Sequence, residues 1–419
     1  MERDVDIYDI SYEGSGVGRI DGKVVFVPKT LVGETVSAEI VKDTKTYTQA
    51  ELVKVKKANV NRVQAECPYF DVCGGCAFQH CDRQTELEIK KQILKRELGK
   101  VGFCGDVEVV CGEKRFDYRN KVKFDISHGE LGYFKAKTHE FFSVKNCLIA
   151  SQEINDVMPR VEGFLQNNHF QNLTSVYIKQ VETKIAVCFL FRMNCENVMK
   201  HVDNIEILDG LYVYFAFGNV LESNETKVFS LKDCDDLTKN FAGKEIRVDV
   251  SGFNQINDEV AEKLYDYLVD FCTDKRVVNA YSGQGLLTFM IAQKAKFVYG
   301  IESQLSAHQS AESLAKMCED YKISNICGKV EDCLQTVLLR DAIDVIVLDP
   351  SRNGCQKSVI EELNNRKIPT ILYVSCNFST LVRDLHDLVE VYDIKSVKLF
   401  DMFPCCADME TVVVLEKKA

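Results

Sequence analysis

The sequence predicts an α/β protein whose largest part is a doubly wound, mostly parallel sheet. Three observations support this prediction: short glycine-punctuated strands at the start, a strand-rich middle, and regular strand–helix alternation after about residue 245. The length of 419 residues fits two or three domains.

Residues 1–55 predict a small β-barrel of five short strands. Alternating or apolar runs stand at 5–10, 23–27, 36–40 and 51–55, and glycines separate them. This pattern is typical of an OB-like barrel, a shape that often presents a groove to single-stranded nucleic acid.

An amphipathic helix is predicted over 85–98, where Gly99 ends it. In the middle of the chain, strands are predicted at 121–124, 176–178 and 185–191. Residues 150–240 carry no chemical motif, so we interpret them as a structural layer. In the last part, strands are predicted at 276–280, 296–301, 343–348 and 370–374, with an antiparallel final pair at 394–399 and 411–415. Ligands of such sheets bind beyond the carboxyl ends of the strands.

Composition and charge narrow the class of protein. The 46% hydrophobic and 27% charged residues are typical of a folded chain. The longest apolar runs, 185–191 and 211–217, are far shorter than the ~20 residues of a membrane helix, and the first residues lack the apolar core of a signal peptide. We therefore expect a cytoplasmic protein without a membrane partner.

The charge is unevenly distributed along the chain. The net charge is −11, yet Lys42 to Lys145 holds 20 basic against 15 acidic residues. A polyanion is therefore expected to bind the N-terminal third, although differing solvated surfaces are an alternative.

Three of the 18 cysteines form a cluster, Cys67, Cys73 and Cys76, spaced C-x5-C-x2-C around two glycines. In a reducing cytosol such a cluster favours metal ligation over disulfides. With a fourth thiol it suits an iron–sulfur cluster or zinc, and the spacing does not choose between them. Candidates for the fourth ligand are Cys81 and Cys147.

A glycine-containing turn follows the first strand of the predicted sheet, at Tyr281, Gly283 and Gly285. It lacks the third glycine of a dinucleotide site, because Thr288 stands there. Glu302 ends the next strand, 19 residues after Gly283, which is the spacing of an acid that binds ribose hydroxyls. S-adenosylmethionine fits this pattern, since it has a ribose and no phosphate.

Two reactive residues are predicted at neighbouring strand ends. Asp349 follows one strand and Cys376 follows the next, while Glu410 lies in a loop before the last strand. A reactive cysteine needs access and a lowered pKa. Cys376 and Glu410 are therefore candidates for nucleophile and base.

These motifs resemble the signatures of the S-adenosylmethionine-dependent RNA uracil-5 methyltransferases. The resemblance is carried by Ser375-Cys376-Asn377, Asp349-Pro350-x-Arg352-x-Gly354, Asp401-Met402-Phe403-Pro404…Glu410 and Phe253-x-Gln255-x-Asn257. The N-terminal barrel resembles the TRAM domain of this family, and the cysteines resemble the [4Fe–4S] site of its ribosomal-RNA branch.

The resemblance implies a Rossmann-like methyltransferase domain at 83–114 with 244–419, a TRAM-like barrel at 1–55, and a central mixed α+β domain at 56–82 with 115–243. It implies Cys376 as nucleophile and Glu410 as general base. The cofactor contacts that it implies are Gln255, Tyr281, Gly283, Glu302, Glu331 and Asp349. The cluster ligands that it implies are Cys67, Cys73, Cys76 and Cys147.

The implied activity is methylation of carbon 5 of a uridine in 23S ribosomal RNA, through a covalent cysteine adduct at carbon 6. The expected cofactors are S-adenosylmethionine and a [4Fe–4S] cluster, and the expected partner is RNA rather than DNA, bound by a monomer. The alternatives are the same reaction on transfer RNA, and an inactive RNA-binding homologue. A radical enzyme is disfavoured, because its usual motif is C-x3-C-x2-C.

Overall fold

The computed structural model describes residues 2–136, 138–168, 170–192, 202–223, 225–231, 237–241, 244–317 and 322–419. Three large sheets follow one another along this part of the chain. None of the helices within these ranges has the length and apolar character needed to cross a bilayer.

The N-terminal segment is a six-stranded sheet in the order β1-β5-β6-β4-β3-β2. Its strands are β1 (Glu2–Asp6), β2 (Asp9–Ile10), β3 (Ser15–Ile20), β4 (Lys23–Pro28), β5 (Thr35–Asp43) and β6 (Tyr47–Lys57). A Cβ on Gly18 would lie 2.2 Å from the Val5 side chain, so this glycine allows β3 to pack against β1. The strand-rich prediction is confirmed, but the number of five strands is wrong: the 5–10 run divides in two, and the glycine-rich segment is itself a strand.

The next two elements are a helix that packs against the C-terminal part of the chain and a strand that joins the C-terminal sheet. They are α1 (Arg83–Gly99) and β7 (Val107–Val110). The predicted helix is confirmed, with Asp82 as its N-cap, because the Asp82 carboxylate accepts a hydrogen bond from the Thr85 amide. Strand β7 was not predicted.

The central sheet has the order β10-β9-β8-β11-β12-β13-β14, and α2 packs on one face. Its elements are β8 (Lys121–Ser127), β9 (Glu130–Phe134), β10 (Phe141–Ser143), α2 (Gln152–Asn167), β11 (Leu173–Val181), β12 (Lys184–Phe191), β13 (Tyr212–Phe217) and β14 (Lys227–Ser230). A hairpin of β15 (Thr238–Phe241) and β16 (Lys244–Arg247) follows. The three predicted strands of this region are confirmed.

The C-terminal sheet has eight strands in the order β19-β18-β17-β20-β21-β23-β22-β7. Its remaining strands are β17 (Arg276–Ala280), β18 (Phe297–Glu302), β19 (Ile323–Cys327), β20 (Val345–Leu348), β21 (Thr370–Ser375), β22 (Tyr392–Phe400) and β23 (Glu410–Lys417). The doubly wound prediction is confirmed, including the antiparallel finish, because β23 runs against both β21 and β22.

Six helices connect and cover these strands. They are α3 (Asp258–Asp270), α4 (Leu286–Ala292), α5 (Leu305–Lys316), α6 (Val330–Arg340), α7 (Lys357–Arg366) and α8 (Phe378–Leu388). Apolar side chains pack on both faces of the sheet, in two separate clusters. Burial on both faces explains why the parallel strands are almost uniformly apolar in sequence.

A buried ion network joins α1 to the segment that leads into β23. Lys90, which is fully buried, donates to Glu86 at 2.8 Å and to Asp401 at 2.7 Å. The Cys405 amide donates to the same Glu86 carboxylate at 2.6 Å. Because breaking one partner would leave a buried charge unpaired, this network holds residues 401–405 in a fixed position.

Candidate active site

The parallel strands bring the predicted residues to one edge of the sheet. Strands β17, β18, β20 and β21 run in parallel, so their carboxyl ends meet. Strand β23 is antiparallel to β21, and Thr411 pairs with Ser375. Cys376, just after β21, therefore lies beside Glu410, the first residue of β23. The prediction that Glu410 lies in a loop before the last strand is wrong, because Glu410 is the first residue of that strand.

The surroundings of Cys376 raise the pKa of its thiol to about 12, through burial and the nearby carboxylates of Glu410 and Asp349. Arg352 acts in the opposite direction. The expectation of a lowered pKa is therefore wrong for the ligand-free site. The thiol is partly accessible, as expected. With this raised pKa, the thiol is in its neutral form at neutral pH.

Both carboxyl groups beside the thiol also hold their protons more tightly than usual. Burial raises the pKa of Asp349 to about 7. The pKa of Glu410 is raised well above its ordinary value, by burial first and then by Asp349 and Asp408. Neighbouring groups with shifted pKa values in a cleft are a common feature of catalytic sites.

Arg352 is a residue of the site to which the sequence analysis gave no role. It forms an ion pair with Asp408 at 3.3 Å and lowers the pKa of Cys376 and Glu410. The Arg352 carbonyl accepts a hydrogen bond from the Asn377 side chain at 2.9 Å. The loop after β20 is thereby tied to the turn that carries Cys376.

The turn after β17 has an unusual backbone. Tyr281 adopts a φ of 62°, which a bulky residue rarely does outside functional sites. Gly285 has a φ of 84°, and a Cβ there would lie 2.7 Å from the Ala311 Cβ on α5. The glycine is thus required both by its conformation and by the approach of α5.

Glu302 supports this turn through hydrogen bonds to two backbone amides. One carboxylate oxygen accepts from the Gly283 amide at 2.9 Å and the other from the Gln304 amide at 2.5 Å. Glu302 is therefore a built part of the turn rather than a solvent-facing side chain. Its position beside Gly283 is the one that a ribose-binding acid requires.

A cavity of about 600 Å³ opens at this edge of the sheet. Four of the six predicted cofactor residues line it, namely Gln255, Tyr281, Gly283 and Asp349. Glu302 and Glu331 do not line it, but Glu302 bonds to Gly283 and Glu331 lies near enough to Tyr281 to raise the pKa of its hydroxyl.

Two further cavity residues were missed by the sequence analysis. Tyr265 on α3 has a raised pKa, because of its burial first and then because of the nearby carboxylates of Asp349 and Glu410. Lys179 comes from β11 of the central sheet. Neither lies in a recognisable motif, so no sequence signal pointed to them.

The predicted metal ligands lie in one neighbourhood. The pKa of Cys73 is raised by burial and, to a smaller extent, by the nearby thiols of Cys147, Cys67 and Cys406. The Cys76 thiol forms a hydrogen bond with the Cys406 thiol. Among the residues that the structure describes, no three or more His, Cys, Asp or Glu side chains form a ready-made metal site.

Cys81, the other candidate for fourth ligand, behaves differently. It is buried, and its thiol donates to the Phe78 carbonyl at 3.3 Å. The charged groups that act on it are Glu86, Arg115, Asp82 and Lys90, and none of the cluster cysteines is among them. Cys147 is therefore the better placed of the two. Cys406 was not predicted, because it lies more than 250 residues from Cys147 in sequence.

The doubly wound sheet, the glycine turn with its acid, and the thiol and carboxylates above the cavity define a class of enzyme, the S-adenosylmethionine-dependent methyltransferases. Two family models match the sequence: tRNA (uracil-5-)-methyltransferase over residues 82–418 and the TRAM domain over residues 1–53. The chain belongs to the RNA (uracil-5-)-methyltransferase family, and carries a TRAM domain at its N-terminus.

Similar proteins agree with this assignment. An uncharacterized RNA methyltransferase of Caldanaerobacter subterraneus subsp. tengcongensis is 33% identical over 99% of this chain and 98% of its own length. One of Halalkalibacterium halodurans is 29% identical over 99% and 97%. The Pyrococcus abyssi tRNA (uracil-54, C5)-methyltransferase, solved with S-adenosyl-L-homocysteine, shares the fold with a TM-score of 0.77 at 20% identity, covering 99% of this chain and all of that one.

Proposed function

We propose that this enzyme methylates carbon 5 of a uridine in 23S ribosomal RNA, and that Cys376 attacks carbon 6 of the base while Glu410 later removes the proton from carbon 5. The observation that carries the mechanism is the register of β21 and β23, which puts a thiol beside a buried carboxyl group above the cofactor cavity.

The chemistry requires a nucleophile because carbon 5 of uracil is too electron-poor to attack a methyl sulfonium unaided. Addition of the Cys376 sulfur to carbon 6 gives an enolate with negative charge at carbon 5. The thiol proton leaves as the sulfur adds, and Asp349, which lies near Cys376 and whose proton affinity the site raises, is the acceptor at hand, so that Glu410 keeps its carboxylate form for the later step. S-adenosylmethionine, when bound, supplies the electrophilic methyl group.

The second half of the reaction restores the ring. After carbon 5 has gained the methyl group it still carries its original proton. The Glu410 carboxylate removes that proton as a general base, and elimination then breaks the bond between carbon 6 and the Cys376 sulfur. The raised pKa of Glu410 makes its carboxylate a stronger base than an exposed glutamate.

A base inside folded RNA cannot reach a thiol at a strand end. The target uridine therefore has to unstack and rotate out of the RNA toward Cys376, at the edge of the sheet where the cofactor cavity opens. The stretch from Lys42 to Lys145, with 20 basic against 15 acidic residues, is the part suited to hold the flanking phosphates, and such binding weakens steeply with salt.

We favour ribosomal RNA as the substrate because Cys67, Cys73, Cys76 and Cys147 resemble the iron–sulfur site of the ribosomal-RNA branch of this family. Transfer RNA is the second candidate, since the family model and the Pyrococcus abyssi relative both bear transfer-RNA names. Mapping of 5-methyluridine by mass spectrometry in both RNA pools decides between them. We expect cells without this protein to lose the modification from 23S RNA, and its loss from transfer RNA alone would contradict the proposal.

We further propose that Cys67, Cys73, Cys76 and Cys147 hold a [4Fe–4S] cluster. The donor set supports this, since the neighbourhood offers thiols and buries them in part, as iron–sulfur ligands require. Methyl transfer by this route needs no redox cofactor. The role proposed for the cluster is therefore structural, namely to connect the segment 67–76 to Cys147.

Replacing Cys73 with serine tests the cluster. We expect iron in anaerobically purified protein to fall from about four atoms per chain to less than half of that, with loss of the brown colour, because one thiolate ligand is missing. Cys104→Ser is the control, since this exposed thiol is remote in sequence from the cluster residues. Stoichiometric zinc in the parent protein, with no iron, would refute the assignment.

A further inference from the structure

Lys179 is a buried cation that the reaction described above does not use. Only 4% of its surface is exposed, yet it lines the cofactor cavity. In the part of the chain that the structure describes, its ammonium group donates one hydrogen bond, to the Asp249 carbonyl at the long distance of 3.3 Å. An ammonium group carries three donors, so this site leaves donor capacity for a ligand.

The surroundings of Lys179 destabilise its charged ammonium form relative to the neutral amine. Burial and the neighbouring Lys121 and Lys239 lower its pKa to about 7, against the favourable contributions of Asp249 and Glu222. Lys121 lies opposite Lys179 in the register of β8 and β11, and it is paired with Glu222 at 2.7 Å. A buried cation with cationic neighbours is a place where an anion is stabilised.

Lys239 extends the same wall of the cavity. Its ammonium group lies 5.3 Å from the centre of the Phe241 ring, and both residues line the cavity. Asp258, Glu262 and Asp266 of α3 line it as well. Cationic and acidic side chains thus share one cavity, which suits a ligand that carries charges of both signs.

The geometry of a sulfonium ion identifies that ligand. The sulfur of S-adenosylmethionine bears an adenosyl, a methyl and an aminocarboxypropyl group. Glu302 stands where the ribose belongs, and Asp349 and Cys376 stand where the methyl group has to be delivered. The third substituent is left with the rest of the cavity lining, in which Gln255 and Lys179 offer polar groups.

We propose that Lys179 binds the carboxylate of the aminocarboxypropyl group of S-adenosylmethionine. The proposal rests on the cofactor assigned above, and it gives the central domain a direct part in cofactor binding. None of the predicted cofactor residues lies on the sheet of this domain, so a contact from Lys179 would let cofactor binding also fix the central domain against the methyltransferase domain.

The test compares two ligands on two variants by calorimetry. The ligands are S-adenosylmethionine and its decarboxylated analogue, which lacks only the carboxylate. We expect Lys179→Met to weaken binding of the first by about 10- to 100-fold, the usual range for a charge-assisted hydrogen bond, and binding of the second by less than about twofold. Lys184→Met is the matched control, because Lys184 of β12 bonds to Thr238 at 2.7 Å and does not line the cavity.

Each other outcome overturns the proposal. Equal weakening of both ligands would mean that Lys179 shapes the cavity without meeting the carboxylate, and unchanged binding of both would mean that it does not meet the cofactor. Weakened RNA binding alone would assign Lys179 to a phosphate of the substrate. Failure of the parent protein to bind S-adenosylmethionine would instead refute the cofactor assignment itself.

Folding of the variant is not expected to limit the test. Methionine has a similar length, and it removes the cost of burying an ammonium group. Circular dichroism of the variant checks this point. Lys179→Gln provides a second version, since its amide is still able to donate a hydrogen bond while carrying no charge.

Discussion

Replacing Cys376 with alanine is expected to lower the rate of 5-methyluridine formation by about 10³-fold or more. Without the sulfur no adduct forms at carbon 6, and carbon 5 never becomes nucleophilic enough to accept a methyl group. The measurement is transfer of labelled methyl groups from S-adenosylmethionine to RNA. The variant should bind the cofactor normally, since Cys376 does not line the cofactor cavity.

The control for this variant is Cys327→Ala, which removes an exposed thiol from the end of β19 at the same edge of the sheet. Its rate should stay within about twofold of the parent enzyme, as surface substitutions usually do. A Cys376→Ala enzyme that retained a tenth of the parent rate would exclude covalent catalysis by this residue.

The rate of the parent enzyme is expected to increase with pH over the neutral range. The Cys376 thiol has a pKa of about 12 in the ligand-free site, so its ionised fraction rises with each pH unit below that value. Ionisation of Glu410, whose pKa is also raised, acts in the same direction. A rate that fell between pH 6 and pH 8 would contradict both assignments.

Replacing Glu410 with glutamine is expected to trap the RNA on the enzyme. Glutamine has the same shape but cannot remove the proton from carbon 5, so the carbon–sulfur bond to Cys376 has no route to elimination. Turnover should fall by about 10²- to 10⁴-fold, the range for loss of a general base. The adduct should appear as a slowly migrating band on denaturing gels, carrying label from both RNA and S-adenosylmethionine.

Two further variants make this result specific. The double variant Glu410→Gln with Cys376→Ala should give no band, because the bond to sulfur cannot form. Glu416→Gln, at the exposed far end of the same strand, should turn over normally. Folding is favoured in Glu410→Gln, since it replaces a fully buried acid with a neutral amide. Normal turnover of Glu410→Gln without an adduct would assign the base elsewhere.

The sequence predicted most strands of the C-terminal sheet because they are apolar on both faces and separated by helices. The same signal failed for β7 and β19. Strand β7 has four residues and joins the sheet beside β22, almost 300 residues away, while the residues of β19 are only partly buried. A short or partly exposed strand leaves little hydrophobic pattern to recognise.

The N-terminal sheet illustrates a related limit. Residues 15–20 alternate glycine with other residues, a pattern that predicts a break between strands rather than a strand. In the fold, Gly16 and Gly18 are the positions where a Cβ would collide with Thr30 and Val5. Glycine is there because of close packing between strands, and sequence pattern alone does not separate this use from a turn.

The residues of the candidate site also fall into two groups, those that the sequence predicts and those that only contacts between remote segments bring to the site. Gly283, Glu302, Asp349 and Cys376 were found because each follows or ends a strand, and the ends of parallel strands meet at one edge. Arg352 belongs to a motif but has no predicted role of its own, and no prediction includes Lys179 or Cys406. The position of each depends on contacts between remote segments, such as the Arg352 carbonyl with Asn377 and the Cys406 thiol with Cys76.

The sequence by itself determined the class of fold, the residues at the strand ends and the chemistry they support, because local patterns of apolar and reactive residues record these features. Only the tertiary structure decided the protonation state of Cys376, its position beside Glu410 at the adjoining ends of β21 and β23, and the presence of Lys179 in the cofactor cavity. The physical reason is that pKa values and ligand contacts depend on burial and on charges brought close by folding, which distance along the chain does not reveal.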